Sequence, residues 1–283
     1  MSGRTSLNKQ LVLLLLFFSI KMFTQEYRVL YEYQFKNDST KLDVVEKEIM
    51  VLDTDENGSV FYSYPKFYYD SVAVEKSKIN EFPDFTNKAK IQFYIEKINS
   101  GNEALLHTKV GVENLVVSDL VNLDWKISDE KRKIKEYTVQ KATTNFGGRS
   151  WTAWFCTEIP IFYGPYKFSG LPGLILTLED LNSHHRFDMI GIEKNSDGKA
   201  NFLKMNGRKL NKISKKEFNK IWHEYKKDPA KSTKFLLLNS NTGMKLNYDG
   251  KDYNVKDMIK NAEEMELNKI KSHNNFIELD LYK

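Results

Sequence analysis

Alternation of aromatic and polar side chains beyond residue 25 constrains the fold most strongly. The odd positions of the range 27–35 carry Tyr, Val, Tyr, Tyr and Phe, whereas the even positions are mostly charged or amide residues. A repeat of two residues places the aromatic side chains on one face of a β-strand. Leu30 interrupts the polar face, so we expect that face to be partly covered. Aromatic residues make up 13% of the chain, a content that excludes a disordered protein.

The same pattern recurs between turn signals along most of the chain. Asp53–Gly58 ends in Asn-Gly, which tolerates positive φ and indicates a hairpin between the strands on either side. Such a density of short strands predicts a mainly β (α+β) protein built on an antiparallel sheet, a sandwich or an incomplete barrel. The further candidate strands are Val44–Leu52, Val60–Tyr64, Ile91–Ile95, Leu105–Val112, Leu115–Leu123, Ile134–Thr143, Ser150–Ile159, Leu174–Leu178 and Phe187–Ile192.

Two segments near the carboxy terminus have a helical period instead. Ser214 and Glu217 have the spacing of a capping box, and apolar residues follow at the spacing of one helix face, with Pro229 marking the end. Asn254 precedes a second run of this kind, with Asp257 three residues later. We therefore predict two helices near the carboxy terminus.

The first 25 residues have the layout of a secretory signal. A basic start precedes a continuous apolar run over residues 11–20, which is about half of what a membrane-spanning helix needs. No Cys precedes Cys156, so a lipoprotein anchor is excluded. We expect a cleaved signal peptide over 1–25, a single β-rich domain over 26–283, and a periplasmic or secreted protein with no transmembrane segment after signal removal.

The net charge of +5 does not indicate a nucleic-acid partner. Arg4, Lys9 and Lys21 lie in the signal segment, which has no acidic residue. The rest of the chain holds 40 basic and 38 acidic residues, a charge of +2. Such a balance produces no strong positive field, so we expect no nucleic acid among the partners.

The central block of the chain carries a series of motifs. It contains Thr138–Arg149, Trp151–Phe155, Glu158–Ile161 and Gly164–Phe168, followed by Ser169–Leu176. This ordered series over some 50 residues resembles the GLPGLI family. The family is named for the hexapeptide that stands here as Gly170, Leu171, Pro172, Gly173, Leu174 and Ile175. The resemblance implies an exported protein of Bacteroidota-type bacteria, and it implies no established activity, cofactor or catalytic residue.

The hexapeptide can be interpreted physically without the family. Pro172 fixes φ near −65° and Gly173 accepts positive φ, which fits the two central positions of a type II turn before a buried strand. One interpretation is a corner that defines the fold. The other is an aromatic loop on a rigid sheet that lines a groove for a ligand or partner. The candidate binding residues of that groove are Arg149, Tyr163, Tyr166 and Phe168.

Candidate chemistry is weak elsewhere. His184 and His185 lie near acidic residues, but adjacent residues of a strand point to opposite faces, so a surface turn is favoured over a metal site. Cys156 follows two aromatic residues and is expected to be a buried, inert thiol. Arg149 is able to anchor a carboxylate or a phosphate with its planar fork, although a structural salt bridge is favoured. We expect neither a cofactor nor a metal.

Three functions from different classes remain open. The favoured one is a non-enzymatic binding or accessory protein of the bacterial envelope, whose partner is an envelope protein, a peptide or a lipid. The second is a lipid or lipoprotein carrier on a half-barrel. The third is a hydrolase or peptidase whose site is not recognisable in one sequence.

Overall fold

The computed structural model describes residues 26–81, 89–98, 101–194, 202, 212–239, 246–248 and 251–283, with the backbone alone for 246–248 and 251–253. The predicted export signal, 1–25, lies outside the described residues. The strands are β1 (Tyr27–Phe35), β2 (Glu46–Asp55), β3 (Gly58–Ser63), β4 (Tyr94–Ile98), β5 (Glu103–Val110), β6 (Glu113–Leu120), β7 (Lys126–Ile134), β8 (Tyr137–Phe146), β9 (Arg149–Cys156), β10 (Leu174–Asp180), β11 (His185–Lys194), β12 (Lys212–Ser214), β13 (Leu246–Tyr248) and β14 (Lys251–Tyr253). The helices are α1 (Tyr64–Lys78), α2 (Lys215–Lys227), α3 (Lys231–Asn239) and α4 (Val255–Ser272).

Twelve of these strands form one open sheet, in the order β12-β6-β5-β4-β3-β2-β1-β11-β10-β9-β8-β7. Every pairing in it is antiparallel except that of β12 with β6. The predicted mainly β, antiparallel class is confirmed, and its form is a single open sheet. The edge strand β7 is exposed along most of its length and rich in charged residues, which discourages pairing with another chain.

One face of the sheet, called here the inner face, carries the main core. The odd positions of β1 contribute Tyr31 and Tyr33, both almost fully buried, as the alternation predicts. Phe61 and Phe187 pack beside them from neighbouring strands. This core continues from β5 and β6 at one side to β8 and β9 at the other.

Two segments cover the inner face. The first is the connection between β9 and β10, residues 157–173, called here the motif loop. The second is the segment that follows α4, residues 274–283, called here the tail. Leu171 of the motif loop and Leu281 of the tail are buried in the same core as the strands, and α2 adds Phe218. The inner face is therefore packed by the chain's own motif.

A smaller cluster covers part of the opposite face. Val51, Val60 and Tyr62 pack there with Phe202, and Phe67 of α1 lies against them. Helix α1 begins where Ser63 accepts a hydrogen bond from the Lys66 backbone, with a proline in its first turn. The alternation over Val60–Tyr64 predicts strand up to Tyr64, so that prediction was wrong at its last residue, where α1 begins.

The two predicted carboxy-terminal helices are present. Ser214 and Glu217 form the capping box of α2, with both reciprocal hydrogen bonds made. Asn254 caps α4 by accepting from the Asp257 backbone. Between them lies α3, which the sequence analysis did not predict. Within the described ranges, each helix falls short of the length and apolarity that a membrane crossing requires.

Candidate functional site

A tight hairpin brings Arg149 to the tail. Gly147 and Gly148 both have positive φ and join β8 to β9 in two residues. The Arg149 guanidinium donates to the Phe276 carbonyl at 3.0 and 2.7 Å, to the Asn275 side-chain oxygen at 2.7 Å and to Asp180 at 3.1 Å. Burial lowers the pKa of Arg149, and Asp180 opposes that shift. The structural salt bridge that the sequence favours is thus formed, and the guanidinium fork is occupied by the protein itself.

The hairpin needs glycine because the tail crosses it closely. A Cβ atom on Gly147 would lie 2.8 Å from the Glu278 Cα and 3.0 Å from the Ile277 carbonyl. The Leu279 backbone donates to the Gly147 carbonyl at 2.7 Å. The first motif of the central block therefore seats the tail.

The motif loop holds the same tail from the other side. Tyr166 donates to a Glu278 carboxylate oxygen at 2.6 Å, and the Lys167 ammonium lies 2.5 Å from that oxygen. Lys167 also lies 3.1 Å from Asp119 of β6. Burial, and then the negative charge of Glu278, raises the pKa of Tyr166 well above its ordinary value. The loop thus links β6 and the tail through one fully buried lysine.

The predicted binding residues are mostly packed. Phe168 is fully buried against Trp151, at 4.8 Å between ring centres, and against Phe146 at 5.1 Å. Tyr166 and Arg149 are buried too, whereas Tyr163 is half-buried and pairs with Ser169 across the loop. These side chains contribute to one packed region and do not border either of the two cavities described below. Their role in binding stays a prediction.

The hexapeptide forms a corner whose shape differs from the predicted type II turn. Gly173 donates to the Leu171 carbonyl at 2.8 Å, so the turn closes over three residues around Pro172. In a type II turn the Leu174 N–H would donate to the Leu171 carbonyl. Here it donates to the Ile159 carbonyl. Gly170 and Pro172 are exposed, and Leu171, Gly173, Leu174 and Ile175 are buried. A Cβ atom on Gly173 would lie 2.0 Å from the Cys156 carbonyl oxygen, so this corner requires glycine.

The two adjacent histidines occupy different environments. His185 begins β11, where it is buried and shares a 2.8 Å hydrogen bond with the Tyr33 hydroxyl, so a surface turn is wrong for this residue. His184 lies before the strand and is partly exposed. Burial lowers the pKa of His185 well below its ordinary value, and Arg149 and His184 add to that effect. In the part of the chain that the structure describes, no group of three or more His, Cys, Asp or Glu residues is arranged to hold a metal ion. Cys156 is a buried free thiol.

A cavity of about 110 Å³ lies between the β5–β6 turn, α2, α4 and the tail. Its floor consists of aromatic rings: Trp222 and Tyr282 meet edge to face with centres 5.2 Å apart, and Phe276 stacks on Tyr282 at 3.8 Å. Trp222 donates to the Tyr282 carbonyl at 3.0 Å, which fixes the indole. We call this cavity the aromatic pocket. Its lining residues are Lys109, Val110, Gly111, Trp222, Tyr225, Lys269, Ile270, His273, Phe276 and Tyr282.

The rim of the aromatic pocket is basic. Lys109, Lys269 and His273 are exposed at its edge, and none of the described residues that line it is acidic. Tyr225 hydrogen-bonds to Glu266, which lies 3.8 Å from Lys269. A second cavity, of about 250 Å³, is a depression beside Tyr137 and Pro160 that Glu158, Glu193 and Lys194 also line. Of these two cavities between described residues, the first combines an aromatic floor with lysines at its edge.

Sequence reasoning missed the aromatic pocket because its parts are distant in the chain. The helical spacing of Trp222 and Tyr225 is a visible signal, but it predicts only a buried helix face. The aromatic residues Phe276 and Tyr282 follow the last predicted helix without any strand or helix pattern. Their role becomes apparent only when Arg149 and Lys167 are seen to hold the tail in place.

Comparisons with known proteins give limited similarity. No curated protein matches the chain. Structures of PNGF-II in two crystal forms are similar to it, with TM-scores of 0.46 and 0.45 and sequence identities of 15% and 16%. Each alignment covers 67% of this chain and 31% of the PNGF-II chain, so this chain spans less than a third of that protein's length. The segment 147–177, which includes the hairpin arginine, the motif loop and the hexapeptide, matches the model of a Bacteroidota-type family described as "Protein of unknown function (Porph_ging)".

Proposed function

We propose that the protein is an exported binding protein of the bacterial envelope and that the aromatic pocket receives one apolar side chain of a peptide or protein partner. The observation that carries the proposal is the 110 Å³ cavity with its aromatic floor. An apolar cavity of about 150 Å³ accommodates one benzene ring. The pocket is therefore of a size for a single anchor group, and the rest of the ligand must lie on the surface around it.

The basic residues at the rim favour a partner with negative charge. Because Lys109, Lys269 and His273 surround the opening without a lining carboxylate, acidic residues beside the anchor gain favourable electrostatic interactions. Aromatic rings in a desolvated pocket are typical of the residues that dominate binding energy. A peptide with one aromatic or large aliphatic residue between Asp or Glu residues fits both features.

Export and domain organisation belong to the same proposal. The signal-like layout of residues 1–25 and the match to a Bacteroidota-type family support an exported protein with one β-rich domain over 26–283. Mass spectrometry of the amino terminus after expression with export machinery tests this part. An intact residue 1 would contradict it.

The lipid-carrier alternative gains less support from the described residues. The inner face of the sheet, where a carrier would hold an acyl chain, is packed by the motif loop and the tail. Both cavities are small for a lipid, since pockets that bury drug-sized ligands have about 300 Å³ or more.

Selection of a random peptide library on the purified full chain tests the binding role. We expect enriched peptides that share an apolar anchor flanked by acidic residues, with binding measured by isothermal titration calorimetry. Ile270→Trp fills the pocket and should weaken binding at least about tenfold, and Lys109→Glu should weaken it by removing the favourable charge. Lys260→Trp places a tryptophan on the exposed surface of the same helix and serves as the control. Enriched peptides that bind Ile270→Trp as well as the original chain would overturn the assignment.

A further inference from the structure

A buried lysine meets a partly exposed serine at the start of the hexapeptide. Lys97 of β4 donates from Nζ to the Ser169 Oγ at 2.5 Å. The lysine is only 2% exposed, whereas Ser169 lies between the buried Phe168 and the exposed Gly170. One side chain comes from the sheet and the other from the motif loop, so the contact exists only in the folded chain.

The charges around Lys97 leave it without a carboxylate partner. Asp119 and Glu278 pair with Lys167 at 3.1 and 2.5 Å and with Lys215 at 3.4 and 3.2 Å. Across the described segments, no salt bridge reaches Lys97, and its hydrogen bond goes to a neutral hydroxyl. The pKa of Lys97 is lowered to about 7, chiefly by burial and then by the positive charge of Lys167, while Asp119 opposes the shift. A substantial fraction of the lysine is therefore an uncharged amine near neutral pH, which is the form that accepts a proton.

The serine is held in place and open on one side. Trp125 donates to the Ser169 carbonyl at 2.9 Å, and Gly170 donates to the Phe162 carbonyl at 2.9 Å. Ser169 is partly exposed, and a Cβ atom built on the following residue, Gly170, would meet no heavy atom within 4 Å, so the loop borders open space at this point. The exposed Phe162 borders the same stretch of the loop.

We propose that Ser169 and Lys97 form a nucleophile–base pair that accepts an acyl group from a carboxylic ester. The Ser169 Oγ attacks the carbonyl carbon and its proton passes to the Lys97 Nζ. The bond from carbon to the alcohol oxygen breaks, and the alcohol leaves with the proton from Lys97. Water then attacks the acyl-serine, the carboxylic acid leaves and Ser169 is restored. The indole N–H of Trp125 and the backbone N–H of Gly170 already donate to carbonyls, so neither is free to serve as an oxyanion donor.

This activity goes beyond the proposed binding role and uses a different place in the fold. Lys97 pairs with Ala104 near the start of β5, and the aromatic pocket begins at the other end of that strand with Lys109. Five residues of extended strand separate the two positions, or roughly 17 Å. Peptide binding at the pocket and acylation at Ser169 can therefore succeed or fail independently.

A fluorophosphonate probe on the full chain tests the pair. The Ser169 Oγ forms a bond to phosphorus, the phosphorus–fluorine bond breaks, and the proton passes to Lys97. We expect an adduct on Ser169 by peptide mass spectrometry, no such adduct in Ser169→Ala, and labelling about 100-fold slower or more in Lys97→Arg, which keeps the positive charge but cannot act as the base. Ser150→Ala removes an exposed hairpin serine and should label as the original chain does.

The pH dependence provides a second measurement that needs no variant. The labelling rate should rise as Lys97 loses its proton and should level off above neutral pH. Circular dichroism checks that each protein is folded at every pH used. The same profile keeps the test decisive if the Lys97 variant does not fold. The absence of an adduct on Ser169 in the folded original chain, or equal labelling rates in Lys97→Arg and the original chain, would overturn the proposal. Peptide binding by Ser169→Ala reports separately on the pocket.

Discussion

The Lys167 ammonium lies 2.5 Å from the Glu278 carboxylate, and neither side chain is exposed to solvent. One residue belongs to the motif loop and the other to the tail, so this ion pair joins the family-like segment to the end of the described chain. Tyr166 and Arg149 reinforce the same junction through hydrogen bonds to the tail. The segment that contains Arg149, Tyr166 and Lys167 therefore holds the tail against the inner face of the sheet.

Breaking this ion pair should destabilise the protein strongly. In Lys167→Met the buried carboxylates of Glu278 and Asp119 lose a cation, and removal of one partner of a buried pair costs about 3–5 kcal/mol. Urea unfolding followed by circular dichroism measures the loss in the free energy of unfolding. Lys78→Met removes one partner of an exposed pair with Glu75 and should change stability by less than about 1 kcal/mol. Equal effects of the two substitutions would refute a structural role for the junction.

The two glycines of the hexapeptide should respond very differently to alanine. A Cβ atom on Gly173 collides with the Cys156 carbonyl, whereas one on Gly170 meets open space and has only the cost of a positive φ. Gly170→Ala should therefore lose about 1–2 kcal/mol of stability. Gly173→Ala should lose more than about 3 kcal/mol, because strain and steric overlap add. Thermal unfolding of both variants gives the comparison, and a Gly170→Ala loss as large as that of Gly173→Ala would contradict this account of the corner.

Local patterns explain which parts of the fold were predictable. The alternation that starts at Tyr27 predicts β1 because one face of that strand is buried by aromatic packing. The caps at Ser214 and Asn254 were predictable because the hydrogen bonds of a cap join residues close in sequence. Helix α1 was missed because it buries no complete apolar face, although Ser63 and Pro65 are a usable start signal.

The candidate site depends on contacts between residues that are distant in the chain, which is why its geometry could not be predicted from the sequence. Arg149 and Tyr166 were identified from their motif, but their partners Asn275 and Glu278 lie in a tail without a periodic pattern. Lys97 also has a distant partner. A lysine on a predicted strand is expected to be exposed, so the sequence does not indicate that Lys97 is buried against Ser169. Aromatic side chains that line a groove and aromatic side chains that fill a core give the same sequence pattern. The sequence alone therefore did not distinguish a binding groove from a corner that defines the fold.

Stability above neutral pH should depend on Lys97. Its pKa is about 7 in the folded chain and about 10.4 when unfolded, because burial disfavours the charge while Lys167 and Asp119 act in opposite directions. Between these values the unfolded chain binds more protons, so the lysine makes stability rise with pH across this window, by at most about 1.4 kcal/mol per unit. Lys97→Met should lose that contribution. Urea unfolding at pH 7, 8 and 9 measures the difference, and parallel curves for the two proteins would contradict it.

Stability below neutral pH should depend on His185, which makes stability rise with pH as Lys97 does, but in a lower pH window. Its pKa in the folded chain is depressed below the unfolded value of about 6.5, because the imidazole is buried beside Tyr33 with Arg149 and His184 nearby. As pH falls below about 6.5, the unfolded chain takes up a proton that the folded chain excludes. The histidine therefore makes stability fall with acidification, by at most about 1.4 kcal/mol per pH unit.

His185→Phe removes the titrating group and keeps an aromatic ring in the stack with Tyr33 and Phe187. We expect this variant to be less stable near pH 8, because the Tyr33 hydroxyl loses its partner at a cost of about 1–3 kcal/mol. Its stability should nevertheless decline less steeply between pH 6.5 and pH 5 than that of the original chain. His223→Gln changes an exposed histidine of α2 and should keep the original slope. Urea unfolding across this range measures all three slopes, and an unchanged slope in His185→Phe would show that other groups cause the acid sensitivity.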